Sequence, residues 1–160
     1  MNNILERCGH LPAVHFAAGQ AVVREGAAAQ GLWILASGAL QVRKGDVLIN
    51  TVQRPGALIG EVAVLLNATY GATVTATEPS VLHHAADGMA FIQSDPEIGR
   101  LLAVGLAERL NFVTTYLVDL KHQYGDAPGL AMVSEVLSQL SESSQPPARP
   151  GSARDPDPDY

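Results

Sequence analysis

The sequence predicts a mainly β domain, either a barrel or a two-sheet sandwich, followed by helices. Three observations lead to this fold class. Short β-prone runs recur between about residues 11 and 85 and are separated by glycines. After Asp87 the apolar residues change to a helical period. A length of 160 residues with 47% hydrophobic content is enough for one domain with a single core, plus some additional chain.

The predicted strands are short and follow one another at even intervals. Evenly spaced short strands with glycine turns are typical of barrels and two-sheet sandwiches. Gly45, in the turn at 43–46, is expected to adopt a positive φ and to join two strands in a hairpin. In chain order, the predicted strands are Val14–Phe16, Ala21–Val23, Leu32–Leu35, Leu40–Val42, Val47–Val52, Thr73–Thr77 and Ser80–His84.

A long helix is predicted over residues 96–124. Pro96 at the first helical position, between Asp95 and Glu97, suits the positive end of the helix dipole. Apolar residues then recur in heptad steps, which predicts a homodimer formed through residues 106–124, whereas the alternative is a helix buried against its own domain. The seam consists of Leu106, Leu110, Val113, Leu117, Leu120 and Tyr124. A second stripe, expected to face the β domain, consists of Leu101, Val104, Gly105 and Phe112.

The C-terminal part of the chain divides into two segments. Gly125 and the residues up to Gly129 are expected to end the long helix, and a short amphipathic helix is predicted within residues 125–142. Residues 143–160 are rich in serine, proline and aspartate and have no apolar pattern, so a disordered tail is predicted there.

Composition and charge argue against several classes of function. A net charge of −6 does not fit direct DNA binding, which requires a basic face. Cys8 is the only cysteine, and no histidine and glutamate cluster offers a metal site. No set of nucleophile, base and orienting residue is found, so we expect no enzymatic activity. The longest apolar stretch is interrupted by Glu61, and we therefore expect a cytoplasmic protein without a membrane span.

Several motifs in the same order resemble the cyclic-nucleotide-binding domain of catabolite-activator-type regulators and protein kinase A regulatory subunits. They are FAAGQ (16–20), REG (24–26), LWILASG (32–38), PGALIGEVAVL (55–65), ATV (72–74) and LAERL (106–110). The resemblance covers about two thirds of the chain. It implies a β-roll (a double-stranded β-helix, or jelly-roll-like barrel) within residues 1–124. It also implies a non-enzymatic sensor of cyclic AMP or cyclic GMP.

In this family the Gly-Glu-x-Ala segment is the phosphate-binding cassette. A short helix that follows a glycine presents free backbone N–H groups, which attract an anion. The resemblance implies that Glu61 accepts a hydrogen bond from the ribose 2′-hydroxyl and that the amides of Val62 and Ala63 face the phosphate. The ligand-binding residues implied in this way are Ile59, Gly60, Glu61, Val62, Ala63, Tyr70, Gly71, Ala72, Thr73 and Thr114.

The sequence departs from the family at the arginine that binds the cyclic phosphate. Tyr70 stands in that position, or Gly71 if the loop is one residue longer. A tyrosine offers one neutral hydroxyl in place of a planar fork of donors. Loss of one partner of a buried charge pair costs about 2–5 kcal/mol.

Three interpretations of this departure remain open. A cyclic mononucleotide could bind weakly, with Arg24 or Arg54 as a substitute cation. A different nucleotide, such as cyclic di-GMP, could be the ligand. In the third, Tyr70 fills the cavity of a ligand-independent homodimeric adaptor, its ring supplying apolar area and its hydroxyl satisfying the cassette amides.

The long helix bears on nucleobase recognition and on the output of the sensor. In catabolite-activator-type proteins a Thr-Ser pair on this helix reads adenine, and the corresponding residues are Val113 and Thr114. Only Thr114 could hydrogen-bond a base. No two-helix DNA-recognition unit follows, so the expected output is contact with an unidentified protein partner.

Overall fold

The computed structural model describes residues 4–125 and 131–141. The chain forms two compact units, which divide between Val104 and Gly105. Each unit is described separately. The predicted tail at 143–160 and most of the predicted turn after Gly125 lie outside the described residues.

The first unit is built on two four-stranded antiparallel sheets, and these confirm the predicted mainly β, jelly-roll-like fold. One sheet has the strand order β1-β8-β3-β6 and the other β2-β7-β4-β5. The strands are β1 (Ala13–Phe16), β2 (Ala21–Val23), β3 (Leu32–Ser37), β4 (Leu40–Lys44), β5 (Val47–Val52), β6 (Leu58–Ile59), β7 (Thr73–Ala76) and β8 (Ser80–Ala85).

The space between the sheets is filled by apolar side chains. Alternate residues of each strand point inward, as the period of two requires. Val42 on β4 and Val74 on β7 are paired in register, and both contribute to this core. The buried members of the core are Val23, Leu35, Leu40, Ile59, Ala63, Tyr70, Val74, Ala76 and Leu82.

Two elements of the first unit were not predicted. A 3-10 helix, Ile4–Arg7, precedes the first strand, and Ile4 on it is buried. β6 has only two residues and pairs with β3. Both are too short to show a period of their own, because periodicity becomes readable only over a longer window.

Two short helices accompany the strands of the first unit. α1 (Glu61–Leu66) follows β6, and α2 (Gly88–Gln93) follows β8. The Asp87 side chain caps α2 by accepting a hydrogen bond from the N–H of Ala90 (2.9 Å).

α3 (Pro96–Tyr124) begins and ends as predicted. The Asp95 carboxylate accepts a hydrogen bond from the N–H of Glu97 (2.8 Å) and forms an ion pair with Arg7 (2.6 Å). These two interactions lower the pKa of Asp95, the N–H of Glu97 contributing more. At the other end Gly125 has a φ of 57° and donates its N–H to the carbonyl oxygen of Lys121 (2.9 Å).

The prediction that the second apolar stripe of α3 is covered by the β domain is wrong. Ile98 and Leu102 are the buried residues of α3, whereas Phe112 is 72% exposed and Val104 is exposed as well. A Cβ on Gly105 would meet nothing within 4 Å, so this glycine does not serve a close approach. Within the first unit the helix packs through its first two turns, which carry Ile98 and Leu102.

The second unit contains most of α3 and α4 (Ala131–Ser141). Lys121 of α3 donates a hydrogen bond to the hydroxyl of Ser134 on α4. Within the heptad seam, Leu110 and Val113 stay 47% and 45% exposed, while Leu117 and Leu120 are half-buried. Tyr124, the last seam residue, is also exposed, and Leu110 and Val113 form an apolar surface on this unit.

α3 is also long and apolar enough to cross a membrane, by length and composition alone. An 18-residue window within its 29 residues has a mean hydropathy of 1.3. The prediction of no membrane span was based on the apolar stretch around Glu61, which lies outside α3. A helix that pairs with a second copy of itself can have the same length and composition. Length and composition therefore do not distinguish a membrane span from a dimerisation helix.

Candidate functional site

The predicted cassette lies where β6 passes into α1. Ile59 ends the strand and is buried, and Gly60 follows with φ 86° and ψ 5°. A residue without a Cβ adopts this left-handed conformation at no steric cost, which explains the glycine. α1 ends at Leu66, and the C-cap residue that follows, Asn67, is also left-handed (φ 48°). The loop between strand and helix is thus a single residue.

The first turn of α1 has the form that the sequence predicts. The N–H of Val64 donates to the carbonyl oxygen of Gly60 (3.1 Å), and the helical bonding of α1 begins there. N–H groups that precede this point in a helix have no intrahelical acceptor. Glu61 is only 3% exposed and Ala63 is also buried, whereas Val62 faces solvent. The Glu61 side chain is therefore enclosed by the protein and does not face solvent.

Tyr70 is buried, with 5% of its surface exposed, and its hydroxyl is bonded on both sides. The hydroxyl oxygen accepts a hydrogen bond from the N–H of Gln30 (2.9 Å). The hydroxyl proton is donated to the carbonyl oxygen of Gly31 (3.0 Å). The expectation that this hydroxyl satisfies the cassette amides is therefore wrong: it bonds the loop between β2 and β3, because that loop runs beside the tyrosine.

The tyrosine ring lies against the cassette glycine. A Cβ built on Gly60 would lie 2.7 Å from Cε1 of Tyr70 and 3.5 Å from Cδ1. The same position is 3.4 Å from the carbonyl oxygen of Gly31. Gly60 is thus required twice, once by its positive φ and once by the ring that packs on it.

The backbone of Tyr70 is bonded to the same loop. The N–H of Tyr70 donates to the carbonyl oxygen of Ala27 (2.9 Å), and the N–H of Gly26 donates to that of Tyr70 (2.8 Å). Ala28 and Thr69 form an isolated antiparallel bridge beside them. Four hydrogen bonds therefore join residue 70 to residues 26–31.

The residues that follow Tyr70 contact a different neighbour. Gly71 is exposed, and Ala72 and Thr73 are half-buried. The hydroxyl oxygen of Thr73 accepts a hydrogen bond from the N–H of Glu25 (3.0 Å). The Glu25 carboxylate accepts one from the N–H of Gly45 in the turn between β4 and β5 (2.8 Å). Glu25 thus links three segments, a role that its REG motif alone did not reveal.

An aromatic group on β3 and β8 was also missed. The rings of Trp33 and His84 are stacked, with centroids 3.9 Å apart, and Phe16 meets Trp33 edge to face at 5.5 Å. Nε2 of His84 lies 2.7 Å from the carbonyl oxygen of Gln30, so Nε2 carries the proton. The alternation of strand residues could have shown that His83 and His84 face opposite sides, but not which partners they meet.

Thr114 lies on the part of α3 that follows Val104. It belongs to the second unit, where its hydroxyl donates to the carbonyl oxygen of Leu110 one turn earlier (2.8 Å). The proposed substitute cations, Arg24 and Arg54, are both exposed. Within residues 4–125 and 131–141, no group of three or more metal-ligating side chains is present.

Comparison with known proteins defines the class to which the β unit belongs. The family model of the cyclic nucleotide-binding domain matches residues 13–87, slightly less than half of the chain. Over 64 residues the chain is 38% identical to a cAMP-dependent protein kinase regulatory subunit of Yarrowia lipolytica. That segment is 40% of this chain and only 17% of the relative.

Solved structures share the fold. The catabolite activator protein of Thermus thermophilus superposes with a TM-score of 0.59 at 20% identity, over 86% of this chain and 80% of its own. A protein from a cyclic-GMP-dependent signalling pathway of bacterial phytopathogenesis gives 0.58 at 24% identity, over 68% and 92%. Residues 13–87 of this chain are therefore similar to a cyclic nucleotide-binding domain, and the solved structures show that the fold is shared.

Proposed function

We propose that this protein is a non-enzymatic cytoplasmic regulator that senses a cyclic mononucleotide, cyclic AMP or cyclic GMP, at the cassette of residues 59–63. The first turn of α1 would bind the cyclic phosphate through the amides of Val62 and Ala63, and Glu61 would accept a hydrogen bond from the ribose 2′-hydroxyl. Gly71, Ala72 and Thr73 would border the ligand from the start of β7. No metal or cofactor is part of this proposal.

One observation carries the proposal. Gly60 is left-handed and Glu61 is buried at the first position of α1, within a domain of the cyclic nucleotide-binding family. A short helix after a glycine is suited to an anion, and the family match supports a phosphate as that anion.

Tyr70 supports a second candidate, a homodimeric adaptor that works without a small molecule. Its ring packs on Gly60 and its hydroxyl is hydrogen-bonded to Gln30 and Gly31, and in this alternative the tyrosine would fill the space of the family arginine. In this alternative the β unit would be a fixed surface for a protein partner. A receptor for another nucleotide, such as cyclic di-GMP, is a third outcome of the same experiment.

We further propose that the output passes through the two helices of the second unit. The exposed seam residues Leu110 and Val113 support a homodimer through residues 106–124. α4 lies beside α3 through the Lys121–Ser134 hydrogen bond and would be exposed to, or hidden from, an unidentified protein partner.

Titration calorimetry tests the choice between these functions. The protein is titrated with cyclic AMP, cyclic GMP and cyclic di-GMP up to millimolar concentration. Binding heat with either mononucleotide supports the proposed sensor. Binding heat with cyclic di-GMP alone would mean that the ligand is this dinucleotide and not a cyclic mononucleotide. Tyr70→Arg restores the forked donor, and we expect it to bind the mononucleotide at least about tenfold more tightly. If neither the wild type nor this variant binds any of the three, the adaptor is the function.

A further inference from the structure

We propose that Tyr70 is a gate of the nucleotide site, held shut by the peptide groups of Gln30 and Gly31. This inference rests on the proposed function, because it concerns the regulation of the same cassette. It concerns a tyrosine that stands where the resemblance places the family arginine. Closed, the ring lies on Gly60, and a nucleotide would enter when the ring turns away.

The contacts of the hydroxyl define the closed position. Gln30 N–H donates to it at 2.9 Å, and it donates to the carbonyl oxygen of Gly31 at 3.0 Å. The donor and an acceptor site of the phenol are therefore both used in one geometry. Tyr70 is 5% exposed, so opening exchanges two hydrogen bonds made inside the protein for bonds to water, and the net gain of the two internal bonds favours the closed state.

The loop that holds the hydroxyl is itself fixed. The carbonyl oxygen of Gln30 accepts a hydrogen bond from Nε2 of His84, which is stacked on Trp33. A Cβ on Gly31, whose φ is 99°, would lie 2.2 Å from the carbonyl oxygen of Ala85, so this residue also lies tightly against the end of β8. His84 is in this view a positioning residue, which holds the Gln30 residue that donates to Tyr70.

The position of the ring explains why opening is coupled to ligand. Cε1 of Tyr70 lies 2.7 Å from where a Cβ on Gly60 would stand, next to the residue directly before the amides of α1. An anion that approaches from the side of the family arginine meets the ring first. Apparent affinity is then the intrinsic affinity reduced by the fraction of open molecules. Anything that weakens the two hydroxyl bonds raises that fraction.

Tyr70→Phe tests the gate because it keeps the ring and removes both bonds. The closed state then leaves the N–H of Gln30 and the carbonyl of Gly31 unpaired, while water can satisfy them in the open state. We expect cyclic AMP to bind this variant about tenfold more tightly than wild type. Tyr116→Phe, which alters an exposed tyrosine of α3, is the matched control and should leave the affinity unchanged.

A second measurement uses the unmodified protein. Amide hydrogen exchange of Gln30 should be slow in the free protein and should become faster with millimolar cyclic AMP, because the acceptor leaves when the gate opens. An affinity of Tyr70→Phe equal to or lower than that of wild type, or a Gln30 amide that stays protected in the complex, overturns the gate and leaves the proposed function standing. Absence of binding in wild type, Tyr70→Phe and Tyr70→Arg alike removes both.

Discussion

Tyr70 and Gly60 are in direct contact, although they lie on opposite sides of α1 in the sequence: a Cβ on the glycine would come within 2.7 Å of the tyrosine ring. Gly60 is also left-handed, with a φ of 86°. The contact joins the start of the cassette to the residue that replaces the family arginine. We therefore expect stability and ligand binding to be coupled at this point.

Gly60→Ala should lower the free energy of unfolding by about 2–4 kcal/mol. The left-handed backbone accounts for about 1–2 kcal/mol of this, and displacement of a ring held by its hydroxyl accounts for the rest. Urea denaturation measures the change. Gly19→Ala is the matched control, because its φ is 89° and its Cβ would meet nothing within 4 Å, so only the backbone cost remains. Equal losses of unfolding free energy for the two variants would show that the Tyr70 ring moves away from the added Cβ at no cost in stability.

Glu61→Gln should weaken cyclic AMP binding by about 10- to 100-fold, because a neutral amide is a poorer acceptor for the ribose hydroxyl than a carboxylate. Calorimetry on the Tyr70→Arg background provides enough affinity to measure the loss. The matched ligand is 2′-deoxy cyclic AMP, which lacks that hydroxyl. This analogue should bind with similar affinity whether or not Glu61 is substituted. If Glu61→Gln weakens its binding as much as it weakens the binding of cyclic AMP, Glu61 does not bind the ribose hydroxyl.

Leu110→Asp combined with Val113→Asp should convert a homodimer into monomers, since two buried carboxylates per subunit would face their twins across the seam. Light scattering after size exclusion measures the mass. Both residues are exposed in the single chain, so the fold of each subunit should be unaffected. Phe112→Asp is the control: it also replaces an exposed apolar residue of α3, but off the seam, and should leave the mass unchanged. If Phe112→Asp gives monomers and the double variant remains a dimer, the dimer seam lies on the face of α3 that carries Phe112.

Cys8 should resist thiol reagents in the folded protein. It is fully buried, its Sγ donates to the carbonyl oxygen of Ile4 (3.2 Å), and burial raises its pKa to about 11 from 9.0. The thiolate is the reactive form, and its population at pH 8 is reduced about 100-fold. A chromogenic disulfide reagent should therefore react quickly only after denaturation. Rapid labelling under native conditions would mean that the N-terminal 3-10 helix opens readily.

The same pKa predicts a pH dependence of stability. Between pH 9 and 11 the unfolded thiol ionises while the folded thiol keeps its proton, so the folded state binds more protons and stability falls as pH rises through this window. Cys8→Ala lacks the group and should lose less stability than wild type over that range. Urea midpoints measured at about pH 8.5 and about pH 10.5 for both proteins, on either side of most of this ionisation, give the difference.

Most strands were predicted from the sequence within a residue or two at each end. Two β-prone runs and the glycine between them define the β4–β5 hairpin locally, and the observed φ of Gly45 is 58°. β6 was missed because two residues carry no pattern. The second stripe of α3 was misassigned because the apolar period of a helix indicates a face but not how far along the helix its packing extends.

The sequence by itself determined the class of domain, the glycine that begins the cassette, the substitution at position 70 and the limits of α3, because each depends on residues that are neighbours along the chain. Only the tertiary structure decided what Tyr70 does. Its hydroxyl partners lie 40 and 39 residues away, at Gln30 and Gly31. Antiparallel pairing in a jelly roll brings such distant segments together, and no local period records which side chains then meet.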